Sequence, residues 1–497
     1  MKSTAILLFL FALIFVSDCY RRYPMQVVQG KTNPGIRLRV TNNGLQYVAN
    51  VGKETLLGKL RNDGIKDISG SSGKLTYKAY NIKNERAEID SLSLSTVPGE
   101  GLILQAQGVY LDYIGEVHYN KKLWFFDISD TVDVTLKAHG IGFKLKTRIG
   151  ADSAGRPTIS TTEQDCSSEV DSVGVHFSGS RMSMLYNAFS GVIEDKVKDD
   201  LKETICKKAM EAVNGDGADY LTTFPVLGNV SKVAQIDYSL VANPTFTSKY
   251  MDVPLKGEFR SRKNPHPTGL SSPQTLPFFA ETNKMVYILL SDYVLNTASL
   301  VYHEEGKLRR TIRPEDIPRS SKFQLNTQSF QTFLYKLYQK YPDRPVFVKV
   351  YTTKAPVFTS RHSGTNVTVT GNVEVYVTTR NGAPVYALTV GLKADLAGSL
   401  GVNSGNLTFH TKTFTTKVHL VRSAIGDIKF NIGLLQWFLN GVVESGDFVK
   451  KLNVIGERGF PLPMFRRILW EDIAIRTGQG YTHIETNLKY LPKAGDE

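Results

Sequence analysis

Cysteine and histidine are the residues most able to do chemistry in this chain of 497 residues. The nine histidines are scattered, and none forms the His-Glu-x-x-His pair that holds zinc in many hydrolases. His410 and His419 lie nine positions apart on a strand-like segment, so strand alternation predicts that they point to opposite faces. The Gly-x-Ser-x-Gly elbow of serine hydrolases does not occur either. The sequence therefore predicts a protein that is not an enzyme and binds no metal.

The three cysteines indicate export and one disulfide. Cys19 ends a leader with Lys2 near its start and an apolar run over 5–16, which is typical of a secretory signal peptide over residues 1–19. Export predicts a secreted, extracellular protein in an oxidising compartment, where Cys166 and Cys206 most simply form a disulfide. Closing that loop would stabilise the fold by roughly 3–4 kcal/mol. Three sequons, at Asn229, Asn366 and Asn406, are candidate N-glycosylation sites.

The rest of the chain exceeds one hydrophobic core and predicts two domains. Four prolines mark a connector over 261–282, so we expect an N-terminal domain over 20–260 and a C-terminal domain over 283–497. The formal charge of +13 is divided unevenly, with +2 in 20–260 and +11 in 261–497. A basic surface attracts anionic lipids and polysaccharides as well as nucleic acid, and export disfavours nucleic acid as the partner.

Hydrophobic periodicity predicts an α+β fold that is built twice. Alternating apolar residues at 132–138 and 367–377 predict antiparallel strands with one buried face. Helical spacing appears instead from Leu45 to Leu60, from Leu185 to Ala209, at 295–302 and from Leu434 to Leu452. Each half therefore predicts long amphipathic helices packed on a curved antiparallel sheet, as expected after an internal duplication.

Several peptides carry a family resemblance when they are taken in order. They are Thr32-Asn-Pro-Gly-Ile36, Arg156-Pro-Thr-Ile159, Asp165-Cys-Ser-Ser168, Asp237-Tyr-Ser-Leu-Val241, Leu255-Lys-Gly-Glu-Phe259, Leu290-Ser-Asp-Tyr-Val-Leu-Asn-Thr-Ala298 and Gly459-Phe-Pro-Leu-Pro463. From about residue 32 to 490 the chain resembles the family of bactericidal/permeability-increasing protein, lipopolysaccharide-binding protein and the plasma lipid transfer proteins. It resembles the bactericidal/permeability-increasing branch most, because no amphipathic helix pattern follows Tyr490.

The resemblance implies a boomerang of two similar barrels joined by a central sheet. Each barrel is a highly curved antiparallel sheet wrapped on a long helix, with an apolar cleft for phospholipid acyl chains. The residues that would line the first cleft are Leu45, Val48, Leu185, Phe189 and Val192, although for any one of them ordinary core is the favoured interpretation. The family disulfide matches Cys166 and Cys206. Bound phospholipid is expected, and no other cofactor.

The resemblance also implies an anionic headgroup site at the tip of the first barrel. The matching cations are Lys66, Lys74, Lys78, Lys121, Lys122, Arg148 and Arg156, interleaved with acidic residues that could make them ordinary solvated charges. The densest basic run, Lys307, Arg309, Arg310 and Arg313, lies instead in the second half. The expected function is a secreted lipid-binding protein of innate immunity that holds phospholipid and binds lipopolysaccharide on bacterial membranes. The alternative is an extracellular phospholipid-transfer carrier without an antibacterial role.

Overall fold

A computed structural model describes most of the chain from residue 32 to residue 491. Outside the described residues lie 1–31, 63–66, 73–74, 123–126, 180–189, 224, 318, 320–322, 404–405, 429–431, 437–446, 458, 462–467 and 492–497. Among the helices that can be described, none is long and apolar enough to cross a membrane.

The first half contains thirteen described strands and three α-helices. The strands are β1 (Ile36–Thr41), β2 (Ile68–Ser72), β3 (Leu75–Val97), β4 (Gly101–Lys122), β5 (Asp127–Ala151), β6 (Pro157–Ser160), β7 (Cys166–Glu169), β8 (Ser172–Ser178), β9 (Leu227–Asn229), β10 (Ala234–Asp237), β11 (Thr245–Phe246), β12 (Tyr250–Leu255) and β13 (Glu258–Ser261). The helices are α1 (Asn42–Asn62), α2 (Ser190–Glu211) and α3 (Ala218–Thr222), with a π-helical turn at Ala212–Gly217 and a 3₁₀ turn at Glu163–Asp165.

The described residues of the second half form ten strands and four α-helices, in addition to a short helical segment over 432–436. The strands are β14 (Val286–Ser291), β15 (Arg309–Ile312), β16 (Val346–Thr352), β17 (Val357–Arg361), β18 (Gly364–Thr378), β19 (Pro384–Asn403), β20 (Asn406–Ser423), β21 (Phe460–Pro461), β22 (Ile468–Gly478) and β23 (Tyr481–Tyr490). The helices are α4 (Asp292–Glu304), α5 (Thr327–Phe330), α6 (Tyr335–Lys340) and α7 (Asp447–Gly456), with a 3₁₀ turn at Pro314–Asp316.

Two long curved sheets flank a central sheet, as the α+β prediction required. The first curved sheet has the order β2-β3-β4-β5-β6, with β7 and β8 also paired to β5. The second has the order β15-β16-β18-β19-β20-β21, with β17 paired to β18. The central sheet, β11-β12-β1-β14-β23-β22, takes strands from both halves. A small sheet, β13-β10-β9, completes the first half.

The central sheet joins the halves through equivalent elements. β1 pairs antiparallel with β14, with Ile36 opposite Leu290 and Val40 opposite Val286. Each strand continues directly into the first helix of its half, β1 into α1 and β14 into α4. This repeated strand–helix unit is the structural trace of the predicted duplication. One apolar core runs across the junction, because α1, β1 and β3 share a packed cluster with β14 and α4.

The first curved sheet, which forms the first barrel, bends where the register between its long strands shifts. β3, β4 and β5 are 23, 22 and 25 residues long, and the β4–β5 register shifts between Ala106 and Val109. At this shift Gly108 has a φ of +61°, and a Cβ there would lie 2.0 Å from a carboxylate oxygen of Asp90. Only glycine fits that backbone conformation and that close approach, so the bulge curves the sheet at a fixed place.

The proline-containing segment between β13 and β14 forms no helix or strand and packs along β1. Arg37 donates hydrogen bonds to the carbonyls of Pro277 (2.9 Å) and Leu276 (3.3 Å). Arg39 donates to the carbonyl of Phe279 (2.7 Å), and the Asn33 amide donates to that of Pro273 (2.9 Å). The connector is therefore attached to the first strand by side chains that bind its backbone carbonyls.

Candidate functional site

The apolar face of α1 lies inside the core of the first half. Leu45 is fully buried and Val48 is 4% exposed, and both belong to the cluster that includes β1, β3 and β4. The helical stripe predicted there is confirmed. Whether either side chain also touches an acyl chain stays a prediction, because a packed core and the wall of a lipid cleft use the same residue types.

The disulfide fixes α2 to the first curved sheet. Cys166 begins β7, which pairs with β5, and Cys206 lies in α2, with 5.7 Å between their Cα atoms. The predicted bridge is confirmed. Of the other predicted lining residues, Leu185 and Phe189 lie outside the described residues, as does the side chain of Val192 within α2. Their place in a lipid cleft stays a prediction.

The seven predicted headgroup cations do not share one tip. Lys78, Lys121 and Lys122 lie at the end of the barrel where β4 passes to β5, because Lys121 pairs with Leu75 and Lys122 with Asp127. Lys66 and Lys74 lie outside the described residues. Arg148 lies on β5, 21 residues beyond Asp127, the residue that pairs with Lys122, and this separation is about 70 Å of strand.

Arg148 and Arg156 therefore belong to the opposite end of the barrel, and grouping them with the lysines was wrong. Arg148 pairs with Gly101, at the hairpin between β3 and β4. Arg156 follows a turn whose Gly155 carbonyl accepts a hydrogen bond from Leu240 near the central sheet. One strand, β5, runs the whole length of the barrel, so residues near its two ends cannot contact the same headgroup.

Three of the seven predicted cations are already paired with carboxylates. Lys78 contacts Asp67 at 2.8 Å, Arg156 contacts Asp152 at 3.9 Å, and Arg148 holds Asp165 at 2.5 and 3.1 Å. The Arg148 guanidinium, with Thr162, lowers the pKa of Asp165 to about 2.

Lys121 and Lys122 have no such carboxylate partner among the described residues. Both are exposed, and no carboxylate among the described residues lies within 4 Å of either ammonium nitrogen. These two lysines are therefore the described cations of this end that an anionic headgroup could meet without displacing an acidic partner.

A polar cleft of about 690 Å³ lies between the first barrel, the connector and α4. Its wall contains the buried carboxylates of Asp237 and Glu258, with Arg260 at 2.7 Å from Asp237 and Lys256 at 3.0 Å from Glu258. Burial by itself would raise the pKa of Glu258, but hydrogen bonds from Thr268 and Lys256 outweigh it and lower that pKa. The positive and negative charges balance, so the cluster fixes the connector rather than attracting an ion.

This cluster was not predicted from the sequence, although the sequence contains a signal for it. Lys256, Glu258 and Arg260 alternate along the chain, and such spacing places three charges on one face of a strand. In the described part of the chain, no group of three or more His, Cys, Asp or Glu side chains could hold a metal ion.

The sequons occupy three settings. Asn229 ends β9 and is exposed, Asn366 is exposed on β18, and Asn406 is half-buried at the start of β20. Their glycosylation stays a prediction.

Family models, related sequences and a solved structure match the chain along nearly its whole described length. The N-terminal domain model of the LBP / BPI / CETP family matches residues 44–215, and the C-terminal domain model matches residues 228–490. Human lipopolysaccharide-binding protein is 32% identical, covering 92% of this chain and 94% of its own length. Rat bactericidal permeability-increasing protein is 27% identical over the same shares. A crystal structure of lipopolysaccharide binding protein superimposes with a TM-score of 0.57 at 27% identity, covering 93% of this chain and all of that one.

Proposed function

This chain belongs to the LBP / BPI / CETP family, and we propose that it is a secreted protein of innate immunity that binds bacterial lipopolysaccharide and phospholipid. The observation that carries the proposal is the similarity to lipopolysaccharide-binding proteins from end to end, with both family domains present in order. Lipid binding needs no catalytic group, and neither the zinc-hydrolase nor the serine-hydrolase motif occurs in the sequence.

The headgroup site of this proposal is the β4–β5 end of the first barrel. Lys121 and Lys122 present two positive charges that no described carboxylate neutralises within 4 Å. Anionic lipid headgroups in a bacterial outer membrane would be attracted to this end, and attraction between exposed charges weakens as salt screens it. The other predicted cations contribute less, because Lys78, Arg148 and Arg156 already contact carboxylates.

The acyl-chain site of this proposal lies between the long helices and the curved sheet. Leu45 and Val48 present an apolar wall from α1, and the disulfide anchors α2 beside the same sheet. A gap too large for side chains would require an apolar ligand, and two phospholipids are the expected occupants. Solvent extraction and native mass spectrometry of protein from a eukaryotic secretory host test this directly. A lipid-free protein of unchanged stability would contradict it.

Charge reversal tests the headgroup site. We expect K121E/K122E to weaken binding to immobilised lipopolysaccharide by about tenfold or more at low salt, as two exposed ion pairs would allow. The control is K412E/K417E, which reverses two exposed lysines of β20 in the second barrel that have no described carboxylate within 4 Å. Equal losses in both variants would show that binding follows total charge, and the headgroup site would then be rejected.

The second candidate is an extracellular phospholipid-transfer carrier without an antibacterial role. The observation that favours it is the neutralisation of three predicted headgroup cations by carboxylates. Transfer of fluorescent phospholipid between vesicles, measured beside lipopolysaccharide binding, separates the two functions. Rapid transfer without measurable lipopolysaccharide binding would favour the carrier.

A further inference from the structure

A row of cations and aromatic rings crosses the outer face of the second barrel. It contains Arg313, Phe347, Lys349, Tyr376, Tyr386 and Arg422, and we call it the outer ladder. Phe347 on β16 is opposite Tyr376 on β18, and Tyr376 is opposite Tyr386 on β19. The neighbouring Val346, Val348, Val375 and Val377 point into the apolar core, so these rings lie on the outer face.

Two β-bulges bring the far end of the outer ladder to this face. The β18–β19 register places Val375 opposite Leu388 but Tyr376 opposite Tyr386, which leaves Ala387 as an extra residue. The β19–β20 register likewise skips Val421, so that Arg422 is opposite Thr389. Strict alternation would turn Tyr386 and Arg422 toward the core, the side occupied by Leu388 and Leu420. Each bulge reverses that direction, a recurrent use of bulges to re-aim a side chain.

The rings hold the cations in place. The rings of Phe347 and Tyr376 are stacked, with centroids 5.1 Å apart and planes 4° apart, and Tyr376 meets Tyr386 edge to face at 5.7 Å. The Arg313 guanidinium carbon lies 5.5 Å from the Phe347 centroid, and that of Arg422 lies 5.6 Å from the Tyr386 centroid. The Lys349 nitrogen lies 4.6 Å from the Tyr376 centroid. Cation–π contacts of this kind orient a charged group without neutralising it.

These cations have no described acidic partner. Among the residues that the structure describes, no carboxylate lies within 4 Å of the side-chain nitrogens of Arg313, Lys349 or Arg422. Glu374 lies opposite Lys349 in the ladder register, but its two carboxylate oxygens accept hydrogen bonds from Tyr351 and Tyr376, each at 2.9 Å. The outer ladder therefore keeps a net positive charge in the half of the chain with an excess of +11.

The geometry of the outer ladder selects a chain-like anion. It reaches from the end of β15 to β20, four strand spacings or about 19 Å, which is longer than one phosphate or one lipid headgroup. Its ring faces are engaged by neighbouring rings and cations, whereas single-stranded nucleic acid binds through open faces on which bases stack. A linear polysaccharide that carries repeated sulfate groups needs only a row of fixed positive charges.

We propose that the outer ladder of the second barrel binds sulfated polysaccharide chains. This site is distinct from the headgroup and acyl-chain sites of the proposed function and does not depend on them. Bound there, the protein would be retained on sulfated extracellular surfaces while the first barrel remained free to contact lipid.

The test uses the full-length secreted protein and immobilised heparin oligosaccharides, with chemically desulfated heparin as the comparison probe. We expect R313Q/R422Q to bind heparin about tenfold more weakly and to lower the slope of log affinity against log salt by about two, following the counterion-release relation for polyanions. The matched control, K412Q/K417Q, removes two exposed charges from β20 of the same barrel and should change affinity much less. Equal losses in the two double variants would overturn the proposal.

Two single variants separate a built site from diffuse charge. F347L removes the ring beneath Arg313 without changing charge, and we expect a severalfold loss of heparin affinity at an unchanged melting temperature. E374Q removes the carboxylate opposite Lys349, and we expect tighter binding. Unchanged affinity in both would overturn the proposal even if a charge-removal variant misfolded. The choice of ligand would be wrong if R313Q/R422Q lost lipopolysaccharide binding while keeping heparin binding, or if desulfated heparin bound equally well.

Discussion

Loss of the buried Arg39 should weaken the attachment of the connector to the central sheet. Its side chain is fully buried, and it holds Asp252 through two hydrogen bonds of 2.8 and 2.9 Å. The guanidinium carbon also lies 3.4 Å from the Tyr250 centroid and 3.7 Å from that of Phe279, while one nitrogen donates to the Phe279 carbonyl. A single side chain thus links β1, β12 and the connector.

Replacing Arg39 by Met keeps most of the volume but leaves the Asp252 carboxylate, only 14% exposed, without its cation. Breaking a buried ion pair by removing one partner typically costs 3–5 kcal/mol, and we expect about 3 kcal/mol because Asp252 retains some contact with water. D252N should cost less, since Arg39 keeps the Phe279 carbonyl and both rings. The double variant R39M/D252N should recover part of the loss, because no unpaired charge remains.

Guanidinium unfolding followed by Trp470 fluorescence measures this effect. Trp470 lies on β22 of the central sheet, and replacing Trp124 and Trp437 by Phe in every protein leaves it as the single reporter. We expect the R39M midpoint to fall by about 0.5–1 M, given the steep denaturant dependence of a protein of this size. An unchanged midpoint, or a double variant at least as unstable as the sum of the singles, would refute the argument that Arg39 neutralises a buried charge.

Three further predictions concern the first half. C206A should lower stability by about 3–4 kcal/mol and speed amide hydrogen exchange in α2 and α3, whereas β18–β20 should exchange as in the wild type; uniform acceleration would contradict this localised role. Because Arg148 holds the pKa of Asp165 at about 2, below its ordinary value of 3.8, the pair stabilises the fold above pH 4 and that contribution disappears as pH falls through 2. R148Q should therefore be less stable than wild type at pH 5, and the difference should shrink as the pH falls toward 2; a difference that stays constant with pH would exclude this linkage. L45A should cost about 2–5 kcal/mol in urea unfolding if Leu45 is packed core, and a loss below 1 kcal/mol would indicate a wall facing bound lipid.

Local periodicity made several features predictable from the sequence. The stripe containing Leu45 and Val48 is helical and buried, and the stripe at 295–302 forms α4. The cysteine pair and the family resemblance were equally accessible, because residue type and order carry both. Helical stripes depend on interactions among residues that are near one another in the chain, so spacing alone reports them.

Only the tertiary structure decided where distant residues meet. Strand alternation predicted His410 and His419 on opposite faces, and this was wrong. The β19–β20 register skips Lys412 between them, which returns the two side chains to the same face, and both are exposed. The same effect brings Tyr386 and Arg422 to the outer ladder. Arg39 would be expected on a solvated strand face, yet it is buried because the connector, distant in sequence, covers that face.

The length of β5 likewise decided which of the predicted headgroup cations lie at the same end of the first barrel. The family resemblance assigned Arg148 and Arg156 to the same tip as Lys121 and Lys122, but one strand of 25 residues separates the two pairs. The sequence by itself determined the α+β class, the disulfide and the family. Strand register, bulges and the path of the connector are set by partners far along the chain, and these determined which charges are buried, paired or free to meet a ligand.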